Sequence, residues 1–551
     1  MQILTRPPLF TPPLRLNAAP PKPRPETFGD GVELRGLQAT AAPPAAEPAA
    51  PKKALDLEKL IARVLTDPEA EKELIGALQF LNATKQLKPA LQQLAGAALE
   101  SGALPPMPEE RVNDLVNQAS GMIDAQFRER GMTPDTQGAV YVDWSELSAR
   151  HLTAVRSSQA PPRMAGSVSL LTDKTFLSEL ENLQGAKFRD ENSVKPLNDG
   201  PASFAERDRL IDGAQESIHL LSWAIYDDET GWETVRKLVE KKNDGVDVKV
   251  MVDGQVSEGS HHDAPVSFLE DNGVPVIRWR DAERPYDGNH RKMMVVDGKE
   301  AVIGGLNIGD VYSHKHGEKK WRDTDILIEG PAVDDGASLF ADLWNEQAVS
   351  QGQQTLELQD KRSASVGNVR SAVVNHVPGP EGDAHIMLAT MKAIEGATES
   401  VDIENAYFIN TPGMKDVLLK ALEDGVKVRL LTNSSQSIDE PLISGPILAS
   451  LPELVAAGAE VYLKKGDTLH SKFMTVDGVF SSVGSHNHHP RSQRFEGEMV
   501  VNSLDSNLAA SLTDAFESDI AAAQKIEKPE DIVVPQSPLN LLAMRYFFDA
   551  L

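Results

Sequence analysis

Two histidines carry the chemistry that this chain can do. His290 opens the run HRKMMVVDG and His470 opens HSKFMTVDG, each a His-x-Lys-x4-Asp pattern followed by a pair of small residues and an asparagine. The first copy supplies His290, Lys292, Asp297, Gly304, Gly305 and Asn307; the second supplies His470, Lys472, Asp477, Gly484, Ser485 and Asn487. The copies lie 470 − 290 = 180 residues apart, and the offset holds from the histidines through to the asparagines. One short pattern of this kind arises by chance too readily to mean much, but two in one repeat register do not.

Alternate side chains of a strand share a face, so each histidine stands beside its lysine on one surface. Two such surfaces brought together hold two imidazoles, two ammonium groups and two carboxamides, a donor-rich lining suited to a phosphate whose ester bond is under attack. One imidazole attacks phosphorus to form a phosphohistidine, while the other, protonated, gives its proton to the departing alcohol. The roles reverse when the next hydroxyl enters. This scheme calls for no metal and no cofactor. The remaining histidines singled out, His261, His262, His314, His316, His488 and His489, stand in loop-like settings without matching carboxylates and are expected at the surface or the substrate rim. Trp223, Tyr226, Tyr407 and Phe408 are expected as core, with an acyl-chain groove as the alternative.

The elements that must position these residues repeat as well. IDGAQES at 211–217 matches IEGATES at 394–400, and GVDVKVMVD at 245–253 matches GVKVRLLTN at 425–433. Short β-branched runs alternate with helical stretches, which is the pattern of an α/β fold. MMVVD and FMTVD read as strands buried on both faces, each ending in an Asp-Gly turn. Before them, apolar residues at three- and four-residue spacing in LEKLIARVL, EKELIGALQFL and RVNDLVNQASGMIDAQF predict helices, broken at Asp67-Pro68 and around Pro105–Pro108. The expected organisation is a disordered Pro/Ala-rich tail over 1–53, a helical accessory region over 54–160 and a linker over 161–194. Two α/β lobes over 195–365 and 366–530 follow, with a C-terminal extension over 531–551.

Composition bounds the partners. A formal charge of −27 argues against a nucleic-acid binder, which draws on basic surface to displace counterions. The absence of cysteine rules out disulfides and thiol chemistry. Prolines interrupt the first residues where a secretory apolar run would stand, and no stretch offers the roughly 18 apolar residues of a membrane span. A cytoplasmic protein with at most peripheral membrane contact is expected, with export by a non-Sec route as the alternative.

Taken together, these residues resemble the phospholipase D superfamily, whose signature is the paired His-x-Lys-x4-Asp motif, over roughly residues 195–525. Within it the runs NHRKMMVVDGKEAVIGGLNIGDVY, WRDTDILIEGPAV at 321–333, NAYFINTP at 405–412 and GSHNHHPRSQRFEGE at 484–498 look like those of bacterial cardiolipin synthases. The resemblance implies two α/β/α lobes in a pseudo-twofold arrangement sharing one site, with His290 as nucleophile and His470 as general acid and base. It places Lys292, Lys472, Asn307 and Asn487 on the nonbridging phosphate oxygens, and uses Asp297 and Asp477 to brace the motif loops. Glu498 and Asp323, with Asp325 as the alternative to Asp323, would each orient an imidazole. The implied activity is hydrolysis or transfer of a phosphatidyl group from a phospholipid to water or an alcohol. A soluble nuclease of the same superfamily and a non-catalytic interaction protein are the competing readings. The chain departs from the pattern at Glu496, where the family has Asn, and in its N-terminal third, where such synthases carry membrane-spanning helices.

Overall fold

The computed structural model describes residues 57–535 apart from short stretches, the longest being 131–143; the expected disordered tail over 1–53 lies outside them. Eight strands fall in each half. The first half holds β1 (Arg189–Asn198), β2 (Ser217–Ser222), β3 (Asp247–Asp253), β4 (Val276–Trp279), β5 (Gly288–Asn289), β6 (Met293–Val296), β7 (Glu300–Gly304) and β8 (Thr324–Glu329). The second holds β9 (Val369–His376), β10 (Ser400–Asn405), β11 (Lys427–Asn433), β12 (Glu460–Lys464), β13 (Lys472–Val476), β14 (Phe480–Gly484), β15 (Glu496–Leu504) and β16 (Gln524–Ile526). Their order is β16-β12-β11-β10-β13-β14-β15-β9-β1-β8-β7-β6-β2-β3-β4. Read outward from the β9–β1 junction, seven strands of each half repeat one another in order, with β16 added at the far edge of the second half and β5 off this path beside β15, which makes that junction the pseudo-twofold seam.

Side-chain alternation assigns each strand to two cores. In β6, Met293 and Val295 face a cluster that also contains Phe340 and Trp344 of the helix Ala332–Ala348, whereas Met294 and Val296 face one built on the helices Asp199–Gly213 and Glu229–Asn243. The first of these cores is common to both lobes. It takes Phe473, Val483 and Met499 of the second half together with Leu508 and Phe516 of the helix Ser506–Ala521, so burial of one apolar body joins the lobes. At the seam the chain bends enough that β14 and β15 come against β7 and β8.

Both motif strands end in the same device. Asp297-Gly298 and Asp477-Gly478 are in the left-handed region, with φ of 53° and 62°, then 51° and 61°. Two consecutive positive φ values are what a tight hairpin turn between right-twisted strands requires. The Asp297 carboxylate accepts from the backbone N–H of Gln215, Glu216 and Ser217, and Asp477 from those of Thr398, Glu399 and Ser400. Each aspartate therefore ties its hairpin to the start of the neighbouring strand.

Two regions differ from expectation. The segment 161–194 is not a plain linker, because it contains the helix Lys174–Leu183 and most of β1. β1 reads as loop in sequence since RDENSVKPLN has only two buried positions; it is held by backbone pairing to β8 and β9 rather than by an apolar face. The helices Leu57–Val64, Pro68–Ala83, Leu87–Glu100, Glu109–Arg130 and Trp144–Arg156 are not a separate unit either. Their buried leucines belong to one continuous apolar cluster with the second lobe's Met391, Leu418, Leu442 and Ile447. No helix of the described residues is long and apolar enough to cross a membrane.

Candidate active site

Each motif histidine sits on a strand extension that leaves its own lobe and pairs with the other. Gly288 and Asn289 of β5 run parallel to Glu496 and Gly497 of β15, and the His290 N–H donates to the Gly497 carbonyl at 2.9 Å. In the mirror arrangement Leu469 pairs with Arg322, and the His470 N–H donates to the Arg322 carbonyl at 2.7 Å. The next residue along each partner strand is a carboxylate. Glu498 of the second half lies 3.0 Å from His290 Nδ1, and Asp323 of the first half lies 2.6 Å from His470 Nδ1. A carboxylate is an acceptor only, so it holds the proton on Nδ1 and leaves the Nε2 lone pair for chemistry. Asp325 does not compete for this place: it accepts from Ser203 and Arg207 of the helix Asp199–Gly213.

The glycine and serine of the two copies are part of this construction. A Cβ on Gly305 would stand 2.2 Å from Asp323 Oδ1, so only glycine lets that carboxylate approach. The equivalent Ser485 instead donates its hydroxyl to Glu498, and Ser492 donates to Glu498 at 2.6 Å. Glu496 is buried next to them, held by Arg491 at 2.6 Å and Ser492 at 3.2 Å.

The cations of the motifs are fully enclosed. Lys292 is 1% exposed, donates to the His290 carbonyl at 2.7 Å and lies over the Trp223 ring; Lys472 is 3% exposed and donates to the His470 carbonyl. The buried Oδ1 atoms of Asn307 and Asn487 have no partner among the described residues, and Asn307 Nδ2 donates to the Tyr312 hydroxyl at 2.9 Å. Burial, then Lys292, holds the His290 imidazole well below its usual range; burial, then Lys472 and Lys292, does the same to His470. Burial likewise brings Lys292 down to about 7 and pushes Asp323 up to about 6. Glu498 rises to about 7 through burial and the adjacent Glu496. Burial and mutual repulsion among the four basic groups outweigh the pull of Glu496, Glu498 and Asp323 and favour loss of protons, and an anion among them would favour their return.

Asp297 and Asp477, which the resemblance uses to brace the motif loops, lie at the hairpin ends described above and hold backbone rather than pocket. Several other residues stand elsewhere than the sequence indicates. His488 and His489 are buried instead of rimming the surface: His489 stacks on Tyr407 and accepts from the Ser492 N–H, while His488 packs its edge on Phe408. His314 and His316 are tied to the Trp321 carbonyl and to Glu229 and Glu233; His262 meets the Tyr226 ring and His261 lies outside the described residues. Of the four aromatics, Phe408 and Tyr407 belong to the core and Tyr226 packs against it, while Trp223 stands edge-on to His290 and Tyr407 also meets His470. Tyr312 and Trp321, which sequence reasoning missed, complete the wall around His470 at ring distances of 5.1 and 5.7 Å. Among the described residues one group has metal-ligand spacing: His290, Glu496 and Glu498, with ligand atoms within 4.8 Å of one another. Its carboxylates are already engaged by Arg491, Ser485, Ser492 and the imidazole.

Half-sites that are complete only when two repeated lobes close on each other are the construction of the phospholipase D superfamily, and that is the class this fold and site define. The comparisons agree. A family model described as cardiolipin synthase, phospholipase D-like domain, matches residues 208–344 and 390–520, one stretch per lobe. Cardiolipin synthase 2 of Staphylococcus epidermidis is 28% identical over 381 residues, covering 66% of this chain and 75% of its own. The major cardiolipin synthase of Bacillus subtilis is 28% identical over 372 residues, covering 65% and 76%. The crystal structure of phosphatidylserine synthase from Haemophilus influenzae superposes with a TM-score of 0.57 at 14% identity, covering 68% of this chain and all of that one, which shows the shared fold. The chain belongs to the phospholipase D superfamily and stands close to the bacterial cardiolipin synthases.

Proposed function

We propose that this chain is a phosphatidyltransferase of the phospholipase D type that moves the phosphatidyl group of a phospholipid to an alcohol through a phosphohistidine. The observation that carries the reading is the pair of cross-seam dyads, His290 with Glu498 and His470 with Asp323. In the first step His290 Nε2 attacks phosphorus, the bond to the headgroup oxygen breaks, and His470 delivers a proton to that oxygen. The headgroup alcohol leaves and phosphorus stays on His290. In the second step His470 takes the proton of an entering hydroxyl, whose oxygen bonds phosphorus and releases His290. Lys292, Lys472, Asn307 and Asn487 hold the nonbridging oxygens, where their charge and donors act on the negative character that builds as phosphorus gains a ligand.

The relatives named as cardiolipin synthases point to phosphatidylglycerol as donor and acceptor. Reaching that lipid requires peripheral contact with a bilayer. The test is lipid product analysis after incubating the full chain with phosphatidylglycerol vesicles, with and without added alcohols. Wild type is expected to release glycerol and form a new phospholipid, and His290→Asn and His470→Asn to lower turnover about 10⁴-fold or more. Variants that keep wild-type turnover, or a wild type that converts no phospholipid with any acceptor, would sink the reading.

A further inference from the structure

The His470 dyad is braced across the seam by the residue that precedes its carboxylate. Arg322 precedes Asp323 and belongs to the first half, yet most of its partners lie in the second. Its N–H donates to the Thr468 carbonyl at 2.9 Å, and its own carbonyl accepts from the N–H groups of both His470 and Ser471. Its side chain turns into the second lobe, where Nε donates to Asp519 at 2.7 Å and Nη2 lies 3.4 Å from Glu404. Nη1 returns to the Asp323 carbonyl and to Thr324 Oγ1. From the other side, Asp199 closes a ring on the same residue: its N–H donates to the Asp323 carbonyl at 2.9 Å and its carboxylate accepts from the Asp323 N–H at 3.1 Å.

The repeat shows what packing alone would require at these positions. Glu404 pairs with Phe473 in the second sheet as Leu221 pairs with Met293 in the first, so the fold accepts leucine where Glu404 stands. Glu404 is fully buried, lies 3.4 Å from Arg322 without a hydrogen bond, and burial pushes its carboxyl up to about 8 against the pull of that arginine. Such a group is held at a cost to stability, and a leucine there would relieve it while leaving the buried Arg322 with one acid fewer. The counterpart of Arg322 is Gly497, whose carbonyl receives His290 as that of Arg322 receives His470. A Cβ there would meet Arg291, whose guanidinium donates to Asn289 and, across the seam, to Asn375 and the His376 carbonyl. Behind His290 a guanidinium crosses the seam from within the motif, whereas behind His470 it crosses from the residue next to the carboxylate.

We propose that Arg322, anchored on Asp519 and Glu404, is a positioning residue that sets Asp323 against His470 across the lobe seam. The guanidinium ties the strand that carries the carboxylate to the lobe that carries the imidazole, so the 2.6 Å contact survives small movements of one lobe against the other. The kinetic part of this proposal rests on His470 serving as the general acid and base of the proposed reaction.

Two readouts on the full chain separate the two ideas. The first follows the His470 imidazole by ¹⁵N NMR of histidine-labelled protein, its surroundings being Asp323, Lys472, Lys292, Tyr312, Trp321 and Tyr407. Arg322→Met is expected to move its titration and its Nδ1–H signal, Arg322→Lys to restore part of the change, and both to leave His290 unmoved. The second uses a p-nitrophenyl phosphodiester, whose leaving group needs no acid. Arg322→Met should form phosphohistidine at close to the wild-type rate and break it down about a hundredfold more slowly, so that label accumulates. Glu404→Leu and the isosteric Glu404→Gln, each shown to be folded by a single cooperative melt and a wild-type circular dichroism spectrum, should lower kcat on phospholipid about tenfold while KM stays within twofold. An unmoved His470 signal in folded Arg322→Met would overturn the proposal, as would Glu404→Leu with wild-type kcat. If His470 moves but wild type forms no phosphohistidine, the positioning stands and the reading of the reaction fails.

Discussion

The two halves of the site solve one problem with different side chains. The first half presents His290 to a long carboxylate, Glu498, which two serine hydroxyls also hold and which a second carboxylate, Glu496, crowds. The second presents His470 to a short carboxylate, Asp323, admitted by a glycine and anchored through Arg322. What the duplication preserves is the contact between imidazole and carboxylate and the strand crossing that creates it. What it exchanges is the shape around that contact: serine where the acid is long, glycine where it is short. A guanidinium is buried beside both histidines, but Arg291 comes from within the first motif and Arg322 from across the seam. Symmetry of the backbone therefore coexists with unequal support for the two imidazoles, which suits the unequal work proposed for them.

The strongest way to break this comparison is to remove the acids one at a time. Asp323→Asn is expected to lower kcat on phosphatidylglycerol about 10⁴-fold, the scale of losing a carboxylate that fixes a catalytic imidazole. Glu498→Gln should cost about tenfold less, because Ser485 and Ser492 still hold the side chain in place. Equal losses would show that the unequal support has no kinetic meaning.

A milder test converts each half toward the other. Gly305→Ser forces a Cβ to 2.2 Å from Asp323 Oδ1 and should lower kcat roughly a hundredfold, whereas Ser485→Gly removes one charge-assisted hydrogen bond and should cost about tenfold. Steady-state kinetics with Tm measured alongside separates this from unfolding. The smallest effect concerns charge. Burial, with Lys472 nearby, leaves Lys292 near 7, so its cationic form, the one that attracts an anion, declines as pH rises through that value. Binding of inorganic phosphate by calorimetry should weaken about tenfold between roughly pH 6.5 and 8, and Lys292→Met should flatten that slope. A slope unchanged in the variant would assign the proton to another group.

Much of the molecule was legible because the repeat carries its polar residues in register: the α/β class, the two lobes and both histidine motifs follow from it. Other parts were hidden for physical reasons. β1, the seam strand, is polar because it is held through its backbone, so no apolar alternation marks it. Tyr312, Trp321 and Arg322 reach the site from segments where an aromatic or an arginine is equally common on a surface. His488 and His489 read as loop residues, since nothing local reveals that β10 and the Tyr407 ring close over them. The helices before residue 156 read as a separate region because their apolar stripes look the same whether they pack on each other or on the second lobe.

By itself the sequence determined that the chain is doubled and which side chains could touch a phosphate, since side-chain type and strand periodicity are local properties. Only the tertiary structure decided which carboxylate serves which imidazole. His290 and Glu498 are 208 residues apart and His470 and Asp323 are 147 apart, each pair drawn from opposite lobes. Contacts at that separation are set by how two apolar faces merge into one core, and no local pattern of residues encodes that packing.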